Sequence, residues 1–388
     1  MSMPQPRAAV SALSPSLIRE VANSAMGRTD VLPFWFGESD QPTPEFIRQA
    51  AIASIERGET FYTQNLGRPW LREAIADYQA RLHGRTFHSD QIGVTGSGVS
   101  ALMLAMQLVL EPGDRVVAVT PLWPNLVEIP RILSADVIRV PLQVSNNAWQ
   151  LDLDQLLDAL TPDTRLLLLN SPNNPTGWTI TAEQQEVILA HCRQHGIWIL
   201  ADDVYSRLIY RPGQNHAPSF LDMSDEQDRL ISVNSFSKAW CMTGWRAGWL
   251  TLPASLSADL AKLVEYNTSC VADFVQHAAR VAIEQGDEHI RTLRQELAAR
   301  RALMSTELGA IPGVQLPLAE GAMYAYFSIE SQSDSLALAK ALIQEVGLGL
   351  APGKAFGMEG EGWLRWCYAT SEERLRDGIT RLKHFIER

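Results

Sequence analysis

Residues 166–169 are four consecutive leucines that lead into Asn170-Ser171-Pro172-Asn173-Asn174-Pro175-Thr176-Gly177. A strand without polar alternation has both faces covered, which is the condition of a strand inside a parallel sheet. Its surroundings agree. Helical periodicity at 151–160 and 182–195 brackets it, and a second apolar strand follows at 197–201. Strand alternating with helix is the α/β arrangement, in which ligands sit at the carboxyl ends of the strands. By composition alone, residues 170–177 are a proline-rich loop. Their place after a buried strand puts them at the carboxyl ends of the strands, where such sheets bind ligands.

Other apolar strands end in small or functional residues. Residues 92–95 are followed by Gly96-Ser97-Gly98-Val99, which open an apolar helix running to Leu110. Free amides and the dipole at such a helix start favour an anion. Residues 115–120 run into Pro121-Leu122-Trp123-Pro124-Asn125, and residues 230–233 into Ser235-Phe236-Ser237-Lys238. A lysine beside two hydroxyls, with the cation Arg246 eight residues on, suits a phosphate-bearing ligand next to an amine. The neighbouring cation also lowers the lysine pKa, as a Schiff-base lysine needs. Asp202-Asp203 end the 197–201 strand. Two acids there read as a metal site or a helix cap, and with no histidine at ligand spacing metal is the weaker option.

With 388 residues, 46% hydrophobic and 20% charged, the chain is long enough for two packed domains. With a formal net charge of −11 and a pI near 5.3, a strong basic footprint for nucleic acid or anionic lipid is absent on average. Four scattered cysteines form no C-x-x-C pair, which speaks against zinc and a disulfide framework and for a reducing compartment. Arg7 is followed by no apolar signal-like run, and no stretch has membrane length. A cytoplasmic protein with small-molecule partners is expected.

The S-x-S-K-x(5)-G-W-R-x-G spacing over 235–248, with N-x-x-N-N-P-T-G at 170–177, resembles the class I/II pyridoxal-phosphate aminotransferases of fold type I. The likeness extends over about residues 31–386. It also takes in G-E-x-D-x-x-T-P at 37–44, Tyr62 five residues ahead of Gly67, and Arg365 followed by Ala369-Thr370-Ser371-Glu372-Glu373.

The resemblance implies the cofactor pyridoxal 5'-phosphate, bound as an internal aldimine at Lys238, which then moves the α-proton. Asp202 would keep the pyridine nitrogen protonated, while Tyr205 and Asn174 would bond the phenolic oxygen and Trp123 stack on the ring. The phosphate would be held by Ser97, Gly98, Val99, Ser235, Ser237 and Arg246, and by Tyr62 from the other subunit of a homodimer with shared active sites. Gly37, Asn174 and Arg365 would bind the substrate carboxylate. No metal is expected. The implied fold is a large domain with a mostly parallel seven-stranded sheet between helices plus a smaller α+β domain. The expected division is 1–44 as N-terminal arm and part of the small domain, 45–290 as the large cofactor-binding domain and 291–388 as the small domain.

The implied reaction moves an amino group between an L-amino acid and a 2-oxo acid. A C–S or C–C lyase on the same scaffold keeps the same lysine, aspartate and arginine. A non-catalytic cofactor-sensing module would need a DNA-binding segment, which this acidic chain lacks. Trp35, Trp123, Trp240 and Trp245 make the expected site rich in indole, which favours an aromatic or other apolar donor.

Three local readings complete the expectations. Residues 34–36 form a strand ending at Gly37. Residues 255–309 are helical with a break only at Gly286. Strands lie near 323–328, 348–351 and 363–368, the last carrying Arg365, and a lone strand arginine ordinarily faces solvent above a covered stem.

Overall fold

The computed structural model describes residues 4–388, so the first three residues of the expected arm lie outside it. Seven strands form the main sheet in the spatial order Ile92–Thr95, Gly248–Thr251, Leu230–Ser235, Trp198–Asp202, Thr164–Asn170, Arg115–Thr120, Asp136–Pro141. Gly248–Thr251 is antiparallel to both of its neighbours, and the remaining pairings are parallel.

The leucine run shows why this sheet is covered on both sides. Leu167 and Leu169 enter one apolar core, whereas Leu166 and Leu168 enter the other. Each leucine is at most 2% exposed, so each side chain contributes about 1.5–3 kcal/mol of burial. Val116 and Ala118 split from Val117 and Val119 in the same way. The register pairs Asn170 with Asp202 and aligns Asp202 with Val233, so the ends of the central strands lie side by side.

A second, four-stranded antiparallel sheet has the order Val314–Gln315, Tyr324–Ile329, Trp363–Cys367, Ala351–Pro352. Tyr326 pairs with Arg365 and Tyr324 with Cys367, which puts the arginine and both tyrosines on one face. Among the described residues, no helix is long and apolar enough to cross a membrane.

Three local expectations differ from the structure. Only Leu32–Pro33 is a strand in the 31–36 region, paired with Leu348–Gly349. Beyond it the chain leaves the sheet, and the Trp35 and Gly37 carbonyls accept from Arg365 and Lys238 instead. Residues 348–351 divide between two sheets, since Ala351–Pro352 pairs with Trp363–Cys367. The helical stretch is also broken between Ser257–Glu265 and Asp273–Gln285, as well as at Gly286 before Asp287–Leu303. There Ser269 is left-handed (φ 60°), a conformation that no helix can propagate through.

Candidate active site

The two sheets and an N-terminal helix, Leu17–Ser24, border a cavity of about 390 Å³ at the carboxyl ends of the strands. Every residue to which the resemblance gives a catalytic or binding role lines it except Ser97 and Tyr62. Ser97 is 3% exposed, and its hydroxyl caps helix Gly98–Val109 by accepting from the Ser100 amide at 2.9 Å. Tyr62 is 87% exposed in a loop beside Phe61, away from the cavity of its own chain.

Lys238 sits just beyond strand Leu230–Ser235. The Ser237 amide donates to Ser235 Oγ at 3.1 Å and the Ser235 hydroxyl donates to Ser237 Oγ at 3.0 Å, which tightens the turn ahead of the lysine. The Lys238 ammonium donates to the Gly37 carbonyl and lies 5.9 Å from the centre of the Tyr205 ring. Gly37 is required for this approach, because a Cβ there would collide with the Tyr324 hydroxyl. Burial pulls the Lys238 amine down to about 8, and the Arg365 and Arg246 cations act in the same direction.

Asp202 is 4% exposed, and its carboxylate accepts only the Val204 amide, at 3.3 Å, among the described residues. Burial lifts its pKa to about 7. Asp203 turns elsewhere, accepting the hydroxyls of Ser232 (2.7 Å) and Ser219 (3.1 Å) through one oxygen. Tyr205 and Tyr324 bring their hydroxyls within 2.5 Å of each other. Burial raises both phenols, Tyr324 to about 12, so both remain neutral donors.

Arg365 is 2% exposed, contrary to the solvent-facing habit of a lone strand arginine. Its guanidinium lies 4.5 Å from the Tyr324 ring centre and 4.8 Å from that of Phe356. Nη1 donates to Asn174 Oδ1 at 2.8 Å and Nη2 to the Trp35 carbonyl at 2.5 Å, while the buried Nε has no partner. An unpaired buried guanidinium N–H is costly and fits an incoming carboxylate. Asn174 is itself held by its amide, which donates to Asn170 Oδ1 at 2.7 Å.

The first-turn amides of Gly98 and Val99 have no acceptor within their helix, as at any helix start. Gly248 passes so close that a Cβ there would sit 2.6 Å from the Gly98 nitrogen. Arg246 closes the same corner in a left-handed conformation (φ 53°), donating from Nη1 to the Thr243 carbonyl at 2.7 Å. Strain of about 1–3 kcal/mol at a non-glycine residue there marks a position held for its side chain.

Sequence reasoning missed Ile18, Arg19, Phe36 and Tyr324, which all line the cavity. The periodicity around Leu17, Ile18 and Val21 predicted their helix, but nothing in it said which surface that helix would cover. The indole expectation is also corrected. Of the four tryptophans, only Trp123 lines the cavity. Trp240 packs on Phe236 and Trp249, Trp35 lies against Gly349, and Trp245 Nε1 donates to Thr43 Oγ1 at 2.8 Å.

Residues 29–382 match the family model for aminotransferase class I and II. An aspartate aminotransferase of Pyrococcus horikoshii is 32% identical over 375 residues, covering 96% of this chain and 95% of that protein. An aromatic-amino-acid aminotransferase of Thermococcus litoralis is 30% identical, covering 97% and 96%. The crystal structure of an aspartate aminotransferase from Thermotoga maritima superposes with a TM-score of 0.92 at 30% identity, covering 99% of this chain and all of the other. With a buried amine, a buried carboxyl and an arginine with an open N–H gathered at the strand ends, and with likeness along nearly its whole length, the chain belongs to the class I and II aminotransferases.

Proposed function

We propose that this enzyme carries pyridoxal 5'-phosphate on Lys238 and uses it to exchange an amino group between an L-amino acid and a 2-oxo acid. The observation that carries this reading is the cavity's set of unmet partners. Asp202 is a buried carboxyl with no ion pair among the described residues, Arg365 has an open N–H, and Lys238 has an amine lowered to about 8. A protonated ring nitrogen, a substrate carboxylate and an aldehyde would supply what each lacks. When bound, the cofactor supplies an electrophilic carbon for the amine and a ring that withdraws electrons from the substrate α-carbon.

The chain's own groups do the rest. Asp202 would hold a proton on the ring nitrogen, Tyr205 and Asn174 would bind the phenolic oxygen, and Trp123 would cover the ring. Gly98, Val99, Ser235, Ser237 and Arg246 would hold the phosphate, with Ser97 supporting the helix start through its cap. Arg365 orients the substrate carboxylate, and Lys238 takes up and returns the α-proton as general base and acid. Borohydride reduction of the holoenzyme followed by peptide mass mapping should place the cofactor adduct on Lys238. An adduct on any other lysine would overturn this assignment.

For the donor, the cavity supports an acidic side chain over an aromatic one. Arg19 lines the mouth with its guanidinium 4.8 Å from the Phe36 ring centre and forms no ion pair among the described residues. A second cation besides Arg365 suits a dicarboxylic donor, a reading in keeping with the names of several relatives. Replacing Arg19 by alanine should raise KM for glutamate or aspartate by several-fold while leaving alanine or phenylalanine nearly unchanged. Equal effects on all donors would remove Arg19 from substrate selection.

We also propose a homodimer, cytoplasmic, in which Tyr62 reaches the phosphate held by the neighbouring subunit. Support comes from the exposure of Phe61 (80%), Tyr62 (87%) and Tyr266 (89%) in two loops tied together by the Asn65 amide donating to the Ser269 carbonyl at 3.0 Å. Sedimentation of the holoenzyme should give a dimer, and Tyr62→Phe should weaken cofactor retention. A fully active monomer would contradict both statements.

A further inference from the structure

Outside the active-site cavity, three groups far apart in sequence meet. His83 ends helix Pro69–His83, His216 lies in the loop after Tyr210, and Asp222 ends the 3-10 turn Phe220–Asp222. One ligand atom from each lies within 4.8 Å of the others. We propose that His83, His216 and Asp222 bind a divalent ion of the zinc class, which staples the end of this helix to the loop.

The donor chemistry favours such an ion over a harder one. Two imidazoles and one carboxylate suit zinc, whereas magnesium and calcium take oxygen ligands. The His216 tautomer is set from outside the cluster. Its Nδ1 lies 2.8 Å from the Ala217 carbonyl and donates to it, which leaves the Nε2 lone pair as the ligand. Asp222 is oriented in the same manner, because its Oδ2 accepts the Ser219 amide at 2.9 Å and leaves Oδ1 to the cluster.

Oδ1 lies 2.7 Å from His83 Nδ1 and 4.0 Å from His216 Nε2. A tetrahedral zinc with bonds of about 2.0–2.2 Å needs its ligand atoms roughly 3.3–3.5 Å apart. The first distance must widen and the second shrink, each by less than about 1 Å, which the Asp222 and His216 side chains, 30% and 20% exposed, can supply while the buried His83 ring stays in place. A plain His83–Asp222 pair explains those two residues but leaves His216 Nε2, 4.0 Å from the same oxygen, with no hydrogen bond among the described residues. Three protein ligands leave a fourth position for water.

The site also backs onto the catalytic region. The Ser219 hydroxyl donates to Asp203, the neighbour of Asp202, at 3.1 Å. The ion therefore stiffens the support behind the strand end without touching substrate, and its role is structural.

The test uses holoenzyme stripped with a chelator and titrated with Zn²⁺ by calorimetry, and with Co²⁺ followed by its visible d–d absorption. One equivalent per chain and a raised Tm are expected. His216→Ala and Asp222→Asn should each weaken the event by about tenfold or more. A competing surface pair exists at His191 and His195, whose ring centres are 4.5 Å apart on one helix, so His195→Ala should leave the event intact. No saturable binding, wild-type affinity in both His216→Ala and Asp222→Asn, or loss of the event in His195→Ala would each overturn the site.

Discussion

Replacing Lys238 by alanine is expected to lower kcat for amino-group transfer by about 10²–10⁴-fold or more, the loss associated with removing a positioned general acid–base. Among the described residues the cavity holds no second lysine, and its phenols, Tyr205 and Tyr324, are pushed above their ordinary pKa by burial and do not substitute as a base. The amine is suited to its task because burial disfavours the ammonium form, so half of it is neutral at about pH 8 instead of near 10.5. A second result follows from the same shift. Only the neutral amine attacks an aldehyde, so the rate at which cofactor-free enzyme captures pyridoxal phosphate should climb as pH rises through about 8 and level off above it. Stopped-flow absorbance measures this rate. A capture rate flat across that range, or a Lys238→Ala enzyme of correct fold that keeps its kcat, would remove Lys238 from the chemistry.

Arg365 and Asp202 should separate cleanly in kinetics, although both are buried in one cavity. Arg365→Ala should remove the proposed charge-assisted pair with the substrate carboxylate, worth about 1.5–3 kcal/mol, and so raise KM for the amino acid by about 10- to 150-fold. Cofactor absorption should persist. The variant also leaves Asn174 Oδ1 and the Trp35 carbonyl without their donor, so Arg365→Lys serves as the companion. It keeps the charge but not the planar fork, and should recover only part of the loss. Asp202→Ala should instead reduce kcat with a smaller change in KM, because the cofactor's ring nitrogen would lose the carboxylate proposed to keep it protonated. Steady-state kinetics of the three variants distinguishes the roles. Arg365 acting only on turnover and Asp202 only on KM would reverse the assignment of both.

The arginine illustrates how a residue can be legible while its environment is not. Arg365 stood out because it interrupts an apolar strand, yet local periodicity gives such a residue a solvent-facing head. Its burial depends on Tyr324 from the adjacent strand and Phe356 from the turn after Ala351–Pro352, and on Asn174, which is 191 residues away. The tryptophans make the opposite case. Four indoles near the motifs implied an aromatic lining, but a side chain's direction is set by the turn that carries it, and three of the four point into packing.

What the sequence by itself determined is what short-range pattern can encode. The unalternating leucines imposed a doubly covered strand, the Gly- and Ser-rich starts imposed an anion-ready helix, and the fixed spacing from Ser235 to Gly248 placed an amine beside a cation. Each of these depends on residues within a few positions of one another, where backbone geometry leaves little freedom. Only the tertiary structure decided that Arg19 and Tyr324 share the cavity with Lys238, that the helical stretch after residue 255 breaks at Ser269, and that His83, His216 and Asp222 converge. These meetings are made by packing whole elements against two cores, and no local spacing records which face of one element will cover another.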